Sequence, residues 1–173
     1  MGSVHGASVG VHASDSANAW RNIARVTDAR NTVASLIVGA CHTGGQSKPG
    51  QDSRPRPLPE DLEKVKTTDA GTLLRDVESA IRANDQGRGC ALVHRYGELG
   101  HPPRPVFDLL LRYAVSEDGA LHAEKYYRTA SEEFAAGRPA FRWRQLVALA
   151  WVTASEYDQP APGYAEACQL LLV

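Results

Sequence analysis

The segment from Ala140 to Tyr157 restricts the fold more than any other part of the chain. Trp143, Leu146, Val147, Ala150, Ala154 and Tyr157 recur at intervals of three and four, the period of one helix face. Leu149 and Val152 fall outside that face, so this helix is expected to be central and contacted from both sides. Composition extends the reading to the rest of the chain. The 25 Ala and 16 Leu stand against 3 Ile and 8 Thr. Ala and Leu lose little side-chain freedom in a helix, whereas β-branched residues favour pleated surfaces. The expected fold is all-α: a single domain, a bundle of about six or seven helices. A length of 173 residues suffices for one core.

The chain divides by texture. Residues 1–16 are Gly, Ser, Ala, His and Val without period and are expected to be disordered. Residues 17–41 read as an N-terminal helix capped by Ser16, with Trp20, Ile23, Val26, Val33 and Ile37 on a loose helical period. Residues 42–58 form a Pro/Gly-rich linker that contains Arg54-Pro55-Arg56-Pro57. The bundle domain then covers 59–173. Pro59 opens a short helix, and Asp69 caps one from Ala70 to Ala83 that buries Leu73, Leu74, Val77 and Ile81. A turn over 84–89 leads to a helix from Cys90 to Gly100. A long helical stretch runs from Pro105 to Phe134, interrupted or kinked at Gly119, and the last helix spans Tyr164 to Val173.

Charge and cysteine usage narrow the classes. The 19 basic and 20 acidic side chains nearly cancel, which is not the balance of a broadly basic nucleic-acid binder or an acidic tail protein. No window approaches the ~18 to 20 apolar residues that cross a bilayer, so no membrane association is expected. Cys41, Cys90 and Cys168 are odd in number and widely spaced, without a Cys-x-x-Cys pair. With no Lys/Arg-rich leader at the N-terminus, a reducing, cytoplasmic setting is the expectation.

Chemistry-bearing side chains gather at two places. Cys90, His94, Glu98 and His101 lie at i, i+4, i+8 and i+11, on one face of their helix. Thiolate, imidazole and carboxylate are transition-metal ligands, and neighbouring pairs at this spacing reach one ion. Cys90 and His101 are about 16 Å apart along the axis, too far to share it. Asp118 and His122, also i, i+4, are positioned to complete a set. The expected metal ligands are Cys90, His94, Glu98, His101 and His122, with a transition metal ion as the cofactor. The same residues allow metal-free acid–base work by His94 and His122, with Asp118 holding the His122 tautomer and Tyr126 as proton donor. The plainer reading makes the histidines hydrogen-bonded helix residues, Cys90 a small buried hydrophobe and Glu98 a solvated carboxylate. A third candidate is Arg138 to Arg144, where Arg138, Arg142 and Arg144 interleave with Phe141 and Trp143 in the manner of a phosphate- and base-contacting segment. Its structural alternative has the arginines paired with Glu132 and Glu133.

The stretch Leu109 to Phe134 (LLLRYAVSEDGALHAEKYYRTASEEF), with His94-Arg95-Tyr96, resembles the His-containing helical regions that accompany Rieske-type iron–sulfur domains. More distantly, it resembles questin-oxidase-like helical proteins. The resemblance covers 40 to 80 residues and implies a helical module in a redox setting, a part of a larger protein, with His94 and His122 as the residues to watch. The Cys-x-His and Cys-x-x-His pairs of a Rieske centre are absent, so no such cluster is held here.

Together these observations lead to an all-α module, redox-linked, with a histidine-centred pocket between the helix of His94 and that of His122. The alternative is a non-catalytic interaction or scaffold module, with a protein partner or second copy covering the loop 42–59 and the run Leu170 to Val173. Weak nucleic-acid binding through Arg138 to Arg144 is the third.

Overall fold

The computed structural model describes residues 8–46, 54–115, 121–158 and 163–172. Every element among them is helical: α1 (Ser8–Val26), α2 (Ala29–Gly45), α3 (Pro59–Leu62), α4 (Ala70–Arg82), α5 (Gln86–Glu98), α6 (Arg104–Ala114), α7 (Leu121–Ala136), α8 (Pro139–Glu156) and α9 (Tyr164–Leu171). The starts follow local chemistry. The Asp28, Asp69 and Asp85 carboxylates accept from the backbone N–H of Asn31, Thr72 and Arg88 at 2.9, 2.7 and 3.0 Å, satisfying donors that a first turn leaves unpaired. Proline occupies the first turns of α3, α6 and α8, where its missing N–H costs nothing.

The expected all-α architecture is found, with α8 at its centre. Every residue from Leu146 to Glu156 is buried, because α5 and α7 pack on opposite flanks while α4 and α6 close the remaining sides. Each fully buried Leu or Val there contributes about 1.5–3 kcal/mol. Two hydroxyls in this apolar setting bond back to their own helix, Thr153 Oγ1 to the Leu149 carbonyl at 2.8 Å and Ser155 Oγ to that of Val152 at 2.8 Å. Asn84 adopts a left-handed conformation (φ 49°) in the turn between α4 and α5. Its amide donates to the carbonyls of Ala154 and Tyr157 at 3.1 and 2.9 Å. That turn pins the carboxyl end of α8, which fixes Glu156 in place.

Three expectations about the first half need correction. Residues 8–16, expected to be disordered, belong to α1, and Val11 is buried; residues 1–7 lie outside the described residues. Ser16 does not cap a helix; its hydroxyl bonds to the His12 carbonyl within α1. The single helix expected over 17–41 is two, folded back at Thr27-Asp28 into a hairpin whose second arm runs to Gly45, four residues into the expected linker. Of that linker, 47–53 lie outside the described residues, while Leu58 is buried. Glycine and proline are absent from the turn at Thr27-Asp28. Asp28 makes it by ending α1 and capping α2. The hairpin rests on α7 through polar contacts. Asn18 and Asn22 donate to Glu132 Oε2 at 2.7 and 3.0 Å, and Arg21 pairs with Glu133. The expected interruption at Gly119 falls among residues 116–120, outside the described set, between α6 and α7.

Candidate functional site

His122 opens the inner face of α7, with Tyr126 one turn further along. Its Nδ1 faces Glu156 Oε2 at 3.5 Å. Glu156 is the last residue of α8 and only 7% exposed. It follows Leu149 and Val152 by seven and four residues, so the stripe that buries those aliphatics carries a carboxylate at its end. A buried carboxylate needs a cationic or donor partner, and the imidazole of His122 is positioned to supply it.

A second imidazole closes the group from α1. The His12 ring stands edge-on to that of His122, with centroids 5.2 Å apart and planes at 76°. Burial holds His12 below the ordinary imidazole range, assisted by Lys125, His122 and His42 and opposed by Asp15. Asp15 has both carboxylate oxygens buried and without a hydrogen-bond partner. Tyr126 is buried at the same level, and its phenol is pushed up to about 12, mainly by burial and further by Asp15 and Cys90, against a hydrogen bond from Ser14. At neutral pH it remains a proton donor. Ser14 and Tyr126 also line a cleft of about 540 Å³ between α1, α2, α7 and α8, walled by Trp20, Leu36 and Ala40. This volume lies within the range of small-molecule sites.

The sequence-predicted residues are divided among separate places. Cys90 is fully buried with its Sγ donating to the Val147 carbonyl at 3.2 Å, and burial pushes its thiol well above the ordinary range. His94 pairs with Glu98 on its own helix at 3.2 Å, and Arg95 reaches the same carboxylate at 3.4 Å. The His101 ring leans on Tyr96, and its Nε2 lies 3.2 Å from the Thr68 carbonyl. Asp118 lies outside the described residues. The two key histidines do not meet. Helix α5 runs antiparallel to α8, with Cys90 against Val147 and Gly97 against Trp143, so His94 lies level with the first half of α8. His122 lies at Glu156, about 16 Å further along the same axis by the helical rise. The expected pocket between them is therefore not formed, and the five expected metal ligands are not brought together. Among the described residues no three His, Cys, Asp or Glu side chains converge on a metal position.

Residues 138–144 also differ from expectation. Trp143 is half-buried against Tyr96, Phe134 and Gly97, so part of its ring belongs to the packing between α5, α7 and α8. Arg142 donates to the Gly137 carbonyl at 3.1 Å, and Arg144 stacks on Phe141. The structural alternative is corrected too, since Glu132 binds Asn18, Asn22 and Arg128 while Glu133 binds Arg21. A second cavity, of about 350 Å³, is rimmed by the Lys64–Asp61 and Arg88–Asp76 ion pairs.

His12, Asp15 and Glu156 are the members that sequence reasoning missed. Glu156 was detectable as a lone carboxylate continuing an apolar stripe. His12 and Asp15 sat in a segment without apolar period, which hid its helix.

Comparison with models of known protein families, with curated proteins and with solved structures finds no match to this chain. Among the described residues no helix is long and apolar enough to cross a membrane.

Proposed function

We propose that this helical module carries an acid–base centre, with His122 as the proton-transferring group, acting on an apolar, flat ligand held in the neighbouring cleft. The observation that carries the reading is the buried Glu156 carboxylate facing His122 Nδ1 at 3.5 Å. A carboxylate at Nδ1 favours the tautomer with its proton there, which leaves the Nε2 lone pair as the base. Glu156 orients the ring; it is a positioning residue. Tyr126, one turn along α7 and on the cleft wall, supplies a phenolic proton to a developing oxyanion. Walls from Trp20, Leu36 and Ala40 suit a planar apolar body, while Arg21, Glu133 and Gln145 in the same lining suit a polar substituent on it. The redox setting implied by the resemblance to Rieske-associated and questin-oxidase-like helical regions remains part of this proposal, since redox reactions of organic substrates commonly need a positioned base.

The test is an NMR screen of flat aromatic compounds against the labelled protein. Compounds that shift the Trp20 indole N–H are expected to shift the His122 ring signals as well, and Tyr126→Phe is expected to weaken their binding. Compounds that move Trp20 and leave His122 untouched, or a panel that moves neither, would overturn the proposal.

A further inference from the structure

Helix α2 is amphipathic in the reverse sense. Its face toward α1 is small and polar: Ser35 and Gly39 are buried, and the Thr32 hydroxyl donates to the Ala24 carbonyl at 3.1 Å. Gly39 lies so close to Trp20 that a Cβ there would meet the Trp20 Cβ at 2.9 Å. Its outward face is aliphatic, with Val33 57% and Ile37 64% exposed, flanked by exposed Ala34, Ala40 and Cys41. A helix in a finished structure turns its apolar stripe inward. Here the stripe from Val33 to Cys41 faces outward over roughly 12 Å of helix, with Leu36 and Val38 exposed beside it, and contiguous exposed aliphatics mark interaction surfaces.

Charge identifies the occupant. From Asn31 to Gly45 the helix has no Asp, Glu, Lys or Arg, so the stripe offers nothing to phosphates or to an acidic or basic partner surface. An uncharged stripe can face its own copy without repulsion, and closed two-fold pairing of one patch with itself is the commonest form of association. The ends agree. Arg30 stands in the first turn of α2, where a cation opposes the helix dipole. In an antiparallel pair it lies beside the carboxyl-terminal carbonyls of the other copy's α2, where a cation is favoured. We infer that two copies of this chain associate through α2, antiparallel about an axis at Ile37, so that the two hairpins form a four-helix unit. Val33 of each copy then faces Cys41 of the other.

Light scattering and thiol cross-linking on the full chain test this. The wild type is expected to be a dimer that dissociates on dilution, and Ile37→Glu a monomer with unchanged far-ultraviolet circular dichroism. In a Cys168→Ser background, Val33→Cys is expected to give a covalent dimer when diamide removes two hydrogens from the facing thiols. The cross-link should vanish on adding Cys41→Ser or Ile37→Glu. A wild type that is monomeric at every concentration, a dimer that survives Ile37→Glu, or a folded Val33→Cys dimer without the cross-link would overturn the inference.

Discussion

Cys90 and Cys41 differ in exposure, and that difference sets their reactivity. Cys90 is fully buried on α5, its Sγ tied to the Val147 carbonyl, and burial drives its thiol far above the ordinary range. Cys41 is exposed on α2. Alkylation of the native protein at high dilution, where the α2 pairing is released, followed by mass spectrometry is expected to label Cys41 and leave Cys90 unmodified until denaturant is added. Glu132 shows the opposite electrostatic case. Hydrogen bonds from Asn18, Asn22 and Arg128 hold its carboxyl down at about 2. Its unfolded value is about 4.3, so the stabilisation is complete above that value and is lost as pH falls toward 2. Since Asn18 and Asn22 belong to α1, acid should loosen the hairpin from α7. The gap in Tm between wild type and Glu132→Gln is expected to narrow as pH falls through this window; a constant gap would contradict it.

At the scale of elements, glycines report where helices touch. A Cβ at Gly97 would meet the Trp143 ring at 2.5 Å, so Gly97→Ala forces α5 away from α8. It is expected to destabilise the protein by about 1–3 kcal/mol. Gly44, near the end of α2, has nothing within 4 Å. There Gly44→Ala is expected to be neutral or to stabilise by up to about 1 kcal/mol through helix propensity. Denaturant midpoints check both, and a neutral Gly97→Ala would contradict the packing. The elements legible from sequence were those whose burial follows one clean period. Helix α4 gave Leu73, Val77 and Ile81, and α8 announced its central place through Leu149 and Val152 outside the main face. Helices α1 and α2 were obscured for physical reasons. The pair Asn18 and Asn22 is polar because it meets Glu132 of α7, and the aliphatics of α2 face outward. Hydrophobic periodicity cannot locate a helix that buries its polar side.

For the whole molecule, sequence placed His122 among the candidates but paired it across helices with His94, which the fold keeps apart from it, while Asp118 lies outside the described residues. Spacing along one helix suggested Asp118, and chemistry suggested His94. The fold supplies Glu156 from 34 residues away because α7 and α8 pack side by side and Asn84 secures the end of α8. Contacts between helices are not written in the period of either one, whereas a carboxylate on an apolar stripe is a visible sign that some partner must reach it. The proposed chemistry depends on the His122–Glu156 pairing. Long-range ¹⁵N–¹H NMR of the His122 ring measures it directly, comparing wild type with Glu156→Gln. In alkaline solution, where imidazoles are deprotonated, the ring proton is expected on Nδ1 in the wild type, shifting toward the Nε2 tautomer in the variant. A wild-type ring with its proton on Nε2, or tautomer populations that do not change with Glu156→Gln, would contradict it.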